Sequence, residues 1–432
     1  MHADELLRGR AVSALEQADR NLATTLVLGV LRWQIQVDAK IRHYLAKPNA
    51  KLDVEVLIAL RMGAFQLLHL DRIPAHAAIG ESVELAKQAG HHFAAGMVNA
   101  VLRKLAKEGG RSELSDADCE LAHPAWLVAR WKSIYGEEAT RAICRHGQEQ
   151  PQIAVRLADS NAERALIDEG VMLAPGRLLA DARIVLTGDV TATEAFRSGR
   201  VRIQDEGSQL IAEIAGADLV RRVKSIIDAC AAPGGKTMIL AERNPQALIV
   251  ACESSPPRLT ELRERAAGFG DRIECRLADA TALNESAKYD LALVDVPCSG
   301  TGTLGRNPEI RHRLRVEDLA RHAEGQKAIL RAVARVVNPG GRIVYSTCSL
   351  EPEENERVVE GVLAEMGGFR RSPITARIDA LRDAEIVTAE GAERLRECIT
   401  AEGALRLIPG GLGTDGFFVA LIERFPHTGR EK

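Results

Sequence analysis

The chain has 432 residues, 46% of them hydrophobic and only 3% aromatic, with 57 Lys and Arg against 60 Asp and Glu and a formal net charge of −3. That length accommodates two or three domains with a substantial core. The charge balance excludes a protein that coats polyanions with its whole surface, so any nucleic-acid contact must be a local patch.

No apolar run approaches the roughly 20 residues of a membrane-spanning helix. The start, Met1-His2-Ala3-Asp4-Glu5, lacks the basic-then-apolar layout of a secretory signal. The eight cysteines include no C-x-x-C pair, which argues against both a zinc site and a disulfide framework. The expectation is a soluble, cytoplasmic monomer with free thiols, no metal and no membrane contact.

Residues 1–112 show helical periodicity and no strand pattern. Leu22 to Leu45 is one long amphipathic stretch, and Asp53 reads as the N-cap of Val54 to Leu70. Ile73-Pro74 breaks the pattern, Ile79 to Ala89 resumes it, and Phe93 to Leu105 closes a bundle before Gly109-Gly110. The first 110 residues carry 14 Lys and Arg against 11 Asp and Glu, which allows an RNA surface without requiring one. On these residues alone the bundle either only packs or docks RNA. His76, His91 and His92 read as ordinary surface or core histidines.

Residues 113–205 begin polar and helical, with Pro124-Ala125-Trp126 at a junction. Short strand-like runs follow at Ile153 to Leu157, Arg183 to Leu186 and Val201 to Ile203, around one helix, as in a small α+β segment. Gln204 to Gln209 then leads into a third region, 206–426, where strands and helices alternate as in a doubly wound, mostly parallel α/β sheet.

The stretch Ser225 to Thr237 is a strand–loop–helix unit, the place where such a sheet presents backbone N–H groups to a ligand. A phosphate-cradling P-loop needs Gly where Cys230 stands, and no G-x-G-x-x-G fingerprint occurs. Glu253, at the tip of the next strand, can accept both hydroxyls of an adenosine ribose. Adenosine without a pyrophosphate fits S-adenosylmethionine better than NAD or ATP. Strands Leu248 to Cys252, Arg272 to Leu277, Leu291 to Val294, Arg342 to Ser346 and Phe417 to Ile422 complete the sheet. Asp228, Glu253, Asp279, Asp295 and Thr347-Cys348 all fall at carboxyl ends of strands, where ligands bind in this topology.

Two cysteines sit on such strand-end loops: Cys298 in Asp295-Val296-Pro297-Cys298-Ser299-Gly300 and Cys348 in Tyr345-Ser346-Thr347-Cys348-Ser349. Either alone reads as a buried structural thiol; two at adjacent strand ends, one beside Asp295, read as chemistry. Carbon 5 of cytosine is a feeble nucleophile until a thiolate adds to carbon 6. An acid or hydrogen-bonding carboxyl must then assist at ring N3, where Asp295 is placed. A second basic group must remove the carbon-5 proton. A free thiol has a pKa of about 8.5, so a cation is needed nearby, with Arg306, Arg311 and Lys236 as candidates. Glu351, Glu353, Glu354 and Glu356 read as favourable charge in the first turns of a following helix. Asp279 can cap Ala280-Thr281, and Asp228 can organise its loop.

Asp-Ala-Cys-Ala-Ala-Pro-Gly-Gly-Lys-Thr at 228–237, Asp-Val-Pro-Cys-Ser-Gly-Thr-Gly at 295–302, Arg306-Asn307-Pro308-Glu309-Ile310-Arg311 and Tyr-Ser-Thr-Cys-Ser at 345–349 resemble the Nol/Nop/Sun family of RNA cytosine-5 methyltransferases. Asp71 to Lys87 with Val98 to Lys104 resembles a NusB-like RNA-binding domain. Together they resemble the Sun (Fmu) branch, nearly end to end. The resemblance implies a Rossmann-like methyltransferase domain at 206–426 behind a NusB-like bundle at 1–112, with an RNA-binding α+β segment at 113–205. It implies S-adenosylmethionine as cofactor and 16S rRNA or a small-subunit precursor as partner. Cys348 would be the nucleophile, Cys298 would assist product release and Asp295 would orient the base. Cys230, Ala231, Ala232, Pro233, Gly234, Gly235, Lys236, Glu253, Asp279 and Asp295 would hold the cofactor, with Glu253 standing where the family commonly has Asp. The rival readings are another RNA such as tRNA, or a non-catalytic assembly factor. DNA is not expected, because DNA cytosine-5 enzymes resemble only the Pro-Cys loop.

Overall fold

The computed structural model describes residues 3–7, 9–107, 115–216 and 223–426. The chain forms two compact units, Met1–Gln150 with Leu304–Arg313, and Pro151–Thr303 with Leu314–Lys432. The expected boundary at 112, beside Gly109 and Gly110, lies outside the described residues.

The first unit is helical: Gln17–Tyr44, Val54–His69, Ala75–Gln88, Ala95–Lys107, Asp116–Leu121 and Ala125–Gln148 are its main elements. Helix Gln17–Tyr44 buries Gly29, Arg32, Trp33, Gln36, Val37 and Ile41, a stripe at three- and four-residue spacing. Its approach to Val54–His69 is tight, since a Cβ on Gly29 would lie 2.0 Å from the Phe65 ring. Asp53 stands at the N-cap of that second helix but makes no side-chain capping bond. The expected Phe93–Leu105 helix is a 3-10 turn, His92–Ala94, followed by Ala95–Lys107. Helix Ala125–Gln148 breaks at Gly136, whose φ of 82° suits a residue without a Cβ.

Residues 304–313, which follow the Cys298 loop in sequence, fold with this helical unit. Arg311 is 2% exposed and its guanidinium donates to the carbonyls of Arg32, Ala122, Gly147 and Leu304. Arg32 donates in turn to the Gly305 carbonyl at 2.8 Å.

The second unit holds two sheets. Strands β1 (Ile153–Leu157), β2 (Met172–Pro175), β3 (Ala182–Thr187) and β4 (Val201–Ile203) form an antiparallel sheet in the order β2-β3-β1-β4. The larger sheet contains β5 (Ser225–Asp228), β6 (Leu248–Glu253), β7 (Ile273–Leu277), β8 (Tyr289–Asp295), β9 (Val337–Thr347), β10 (Phe369–Ser372), β11 (Leu405–Leu407) and β12 (Phe417–Arg424). Its order is β7-β6-β5-β8-β9-β12-β10, with β11 also on β12; β5 to β9 run parallel and β12 antiparallel.

Near-continuous aliphatic runs such as Leu291 to Val294 suit strands covered on both faces. Ile226, Leu291, Leu293, Val344 and Val419 pack on one side. Ile227, Ala292, Val294, Ile343 and Phe418 pack on the other. The order reverses between β5 and β8, and a crevice opens there beyond the carboxyl ends of the strands.

The expected fold class is the one observed, with local differences. Pro339-Gly340-Gly341 lies within β9 instead of ahead of it, at a register shift from Tyr289↔Val337 to Leu291↔Arg342. Strands β2, β10 and β11 have three or four residues each, too few for a period-2 signal. The helix after Cys348 begins only at Glu356, so Glu351 to Glu354 form a turn and are not helical charges.

Candidate active site

β5 ends at Asp228, and the chain turns through 229–234 into helix Gly235–Arg243. Asp228 is 1% exposed. Its Oδ2 accepts the Thr237 hydroxyl at 2.7 Å, and its Oδ1 has no partner among the described residues. Burial pushes its pKa up to about 6, partly opposed by the Thr237 bond. Asp228 therefore organises the loop. Gly234 has φ 103°, and a Cβ there would also meet Leu262 at 2.8 Å, so this turn requires glycine.

A cleft of about 240 Å³ opens over the switch point, reached by Cys230, Glu253, Asp279, Asp295, Cys298 and Cys348. Ala229 and Ala232 form part of its floor. The other expected loop residues support it. Ala231 N–H bonds the Cys252 carbonyl at 2.8 Å, Pro233 is exposed, and Gly234 and Gly235 start the helix. Burial holds the Cys230 thiol well above its usual pKa, which suits packing.

Glu253 is 5% exposed, with Oε1 accepting Ser255 N–H at 2.8 Å and Oε2 3.5 Å from Arg258 Nη1. Arg258 also bonds the Ala232 carbonyl at 2.6 Å, bracing the loop from outside. Asp279 caps the next turn, its Oδ1 accepting Thr281 N–H at 2.9 Å and Oγ1 at 2.8 Å, while lining the cleft.

The two strand-end cysteines meet. Cys298 Sγ lies 3.1 Å from Cys348 Sγ, and both side chains are half-buried. The hydrogen bond to Cys348, reinforced by burial, lifts the Cys298 thiol well above its usual pKa. Asp295 Oδ2 pairs with Lys236 Nζ at 2.7 Å, and Ser346 Oγ donates to Oδ1 at 2.7 Å. Burial alone would lower the Lys236 ammonium, but the Asp295 charge and bond outweigh it and hold its pKa above the ordinary lysine value. Of the three candidate cations, Lys236 stands at these strand ends; Arg311 spends its donors on carbonyls of the helical unit.

Sequence reasoning missed the frame behind the thiols. Glu354, Ser299, Ser349 and Gln326 are each at most 6% exposed and are hydrogen-bonded together. Thr347 Oγ1 donates to Asn355 Oδ1 at 2.5 Å. Gly302 N–H donates to the Cys348 carbonyl at 2.9 Å, an approach so close that a Cβ on Gly302 would meet that oxygen at 2.8 Å. The available signal was a serine directly after each cysteine.

Among the described residues, no group of three or more His, Cys, Asp and Glu is arranged to hold a metal ion. No described helix is long and apolar enough to cross a membrane.

Residues 220–423 match the family model of the 16S rRNA methyltransferase RsmB/F. Residues 3–107 match the NusB family, and 123–182 match the ferredoxin-like domain of RsmF/B-like methyltransferases. A probable ribosomal RNA small subunit methyltransferase B of Bacillus subtilis is 34% identical over 428 residues, covering 95% of this chain and 92% of that protein. A ribosomal RNA small subunit methyltransferase B of Pseudomonas syringae is 34% identical over 376 residues, covering 84% and 83%. The crystal structure of PH0851 superposes with a TM-score of 0.76 at 24% identity, covering 95% of this chain and 91% of that one, a likeness of fold.

Proposed function

The chain belongs to the 16S rRNA methyltransferase RsmB/F family, and from that premise we propose that it methylates carbon 5 of a cytosine in 16S rRNA, using S-adenosylmethionine and a transient cysteine–base bond. The observation that carries the reading is the 3.1 Å approach of Cys298 and Cys348 beside the Lys236–Asp295 pair, at the mouth of one cleft.

The cleft residues fit the cofactor. Small side chains at Ala229, Cys230 and Ala232 leave room for it, Glu253 offers a carboxylate braced by Ser255 to ribose hydroxyls, and Asp279 offers one to an adenine amino group. When bound, the cofactor supplies an electrophilic methyl group.

The chain's own groups do the rest. Cys348, as thiolate, forms a bond to carbon 6, and the displaced π pair makes carbon 5 nucleophilic. Asp295, held by Ser346 and Lys236, faces the N3 edge of the cytosine and fixes the base there by accepting from the adjoining amino group, while the Lys236 ammonium offsets negative charge building on the ring. Once carbon 5 carries the methyl, its proton leaves to a base, the C5–C6 double bond re-forms, and the pair of the S–C6 bond returns to Cys348. Cys298 lies within reach of that step. Its raised pKa keeps it a thiol, scarce as an attacking thiolate, and its S–H can donate to the Cys348 sulfur as that thiolate leaves. The NusB-like unit supplies an RNA-docking surface.

The test is methyl transfer from labelled S-adenosylmethionine to unmodified 16S rRNA, followed by nucleoside mass spectrometry. 5-Methylcytidine is the expected product. Label on a different nucleoside, or on tRNA but not 16S rRNA, overturns the assignment.

A further inference from the structure

We infer that Glu354 is the positioning residue that sets the two thiols against each other. Among the described residues, its carboxylate bonds the residue immediately after each cysteine: Oε2 accepts the Ser299 N–H at 2.8 Å, and Oε1 accepts the Ser349 hydroxyl at 2.8 Å. Helix Val316–Val336 joins the same carboxylate, since Gln326 Nε2 donates to Oε2 at 2.8 Å and also to the Pro297 carbonyl, just before Cys298, at 2.9 Å. The backbone of Glu354 is itself fixed, its carbonyl accepting the Tyr345 hydroxyl at 2.6 Å. Glu354 and Tyr345 are fully buried.

These bonds form one frame. Strand β8 delivers Cys298 and strand β9 delivers Cys348, and their backbones are paired as far as Asp295↔Ser346. Beyond that register the ladder stops, and the two loops meet again where Gly302 N–H donates to the Cys348 carbonyl at 2.9 Å. Three donors converging on one buried carboxylate add a side-chain constraint between those points, and Ser299 Oγ and Ser349 Oγ close it directly at 3.0 Å. Glu354 is not one of the cleft-lining residues, so it acts through Ser299 and Ser349 and not on substrate. A buried carboxylate serving only to stabilise would be replaceable without affecting the thiol separation; one serving to position would not.

This rests on the two-thiol reading above, so the experiment has one arm that does not. In full-length Glu354→Gln and Glu354→Ala proteins, the rate of Cys298–Cys348 disulfide formation under diamide, without RNA, is followed by peptide mapping. The diazene takes up both thiol hydrogens as one disulfide forms. Thermal melts and S-adenosylhomocysteine calorimetry establish that each variant is folded. Steady-state methyl transfer on 16S rRNA gives kcat and KM separately. The expected result is slower disulfide formation and lower kcat, graded from Gln to Ala and reaching about tenfold to a hundredfold in the latter, with both KM values unchanged. A wild-type disulfide rate in a folded variant overturns the positioning role, as does a change confined to KM. If Glu354→Ala does not fold, Glu354→Gln decides. If wild type transfers no methyl to RNA, the proposed reaction fails while the disulfide arm still decides the role of Glu354.

Discussion

Lys236 Nζ lies 2.7 Å from Asp295 Oδ2, and Ser346 Oγ holds the other oxygen at the same distance, so the carboxylate at the end of β8 is fixed from both sides. An amide there would turn an N–H toward one of those donors. Asp295→Asn is expected to lower kcat by about a hundredfold or more, and to lower the melting temperature as well, because the partly buried Lys236 ammonium loses its charged partner. Pre-steady-state methyl transfer checks this; a kcat within about twofold of wild type would remove Asp295 from the chemistry.

Asp228 makes a pH signature in stability. Its pKa rises from 3.8 to about 6 on folding, chiefly through burial, so between those values the folded state binds more protons than the unfolded. Stability from this group is then present at low pH and lost as pH rises through about 6. A shift of roughly two units corresponds to about 3 kcal/mol at most. Asp228→Asn lacks the titration, so its stability relative to wild type should climb between about pH 4 and pH 6 and level off above. Urea unfolding across that range measures the difference, and a flat difference contradicts the assignment.

Arg311 is predicted to be structural. Arg311→Met leaves four carbonyls of the helical unit without their donor, which should cost about 2–4 kcal/mol, and Arg311→Lys recovers only part because an ammonium cannot reproduce the fork. Hydrogen exchange should rise in Ala125–Gln148, whose Gly147 carbonyl is one of the four. Unchanged exchange there would contradict the anchoring.

These positions mark what the sequence made legible. Asp228, Glu253, Asp295 and Cys348 could be placed because each ends, or directly follows, a β-branched or aliphatic run, and a parallel sheet aligns such ends by its own geometry. Glu354 could not. Four acidic residues within six positions looked like a helix N-terminus, and only the delayed start of the helix at Glu356 frees Glu354 to turn inward. Arg311, one of three candidate cations in the sequence, folds instead with 304–313 into the helical unit, where its donors go to backbone carbonyls. Both cases depend on tertiary contacts that no local period encodes.

Trapping decides whether Cys348 attacks and Cys298 helps release. Cys298→Ala and Cys348→Ala proteins are incubated with S-adenosylmethionine and unmodified 16S rRNA and run on denaturing gels. The prediction is that Cys298→Ala accumulates a covalent protein–RNA adduct, while Cys348→Ala forms none and transfers no methyl. Adduct from Cys348→Ala but not from Cys298→Ala would reverse the two roles and contradict the mechanism.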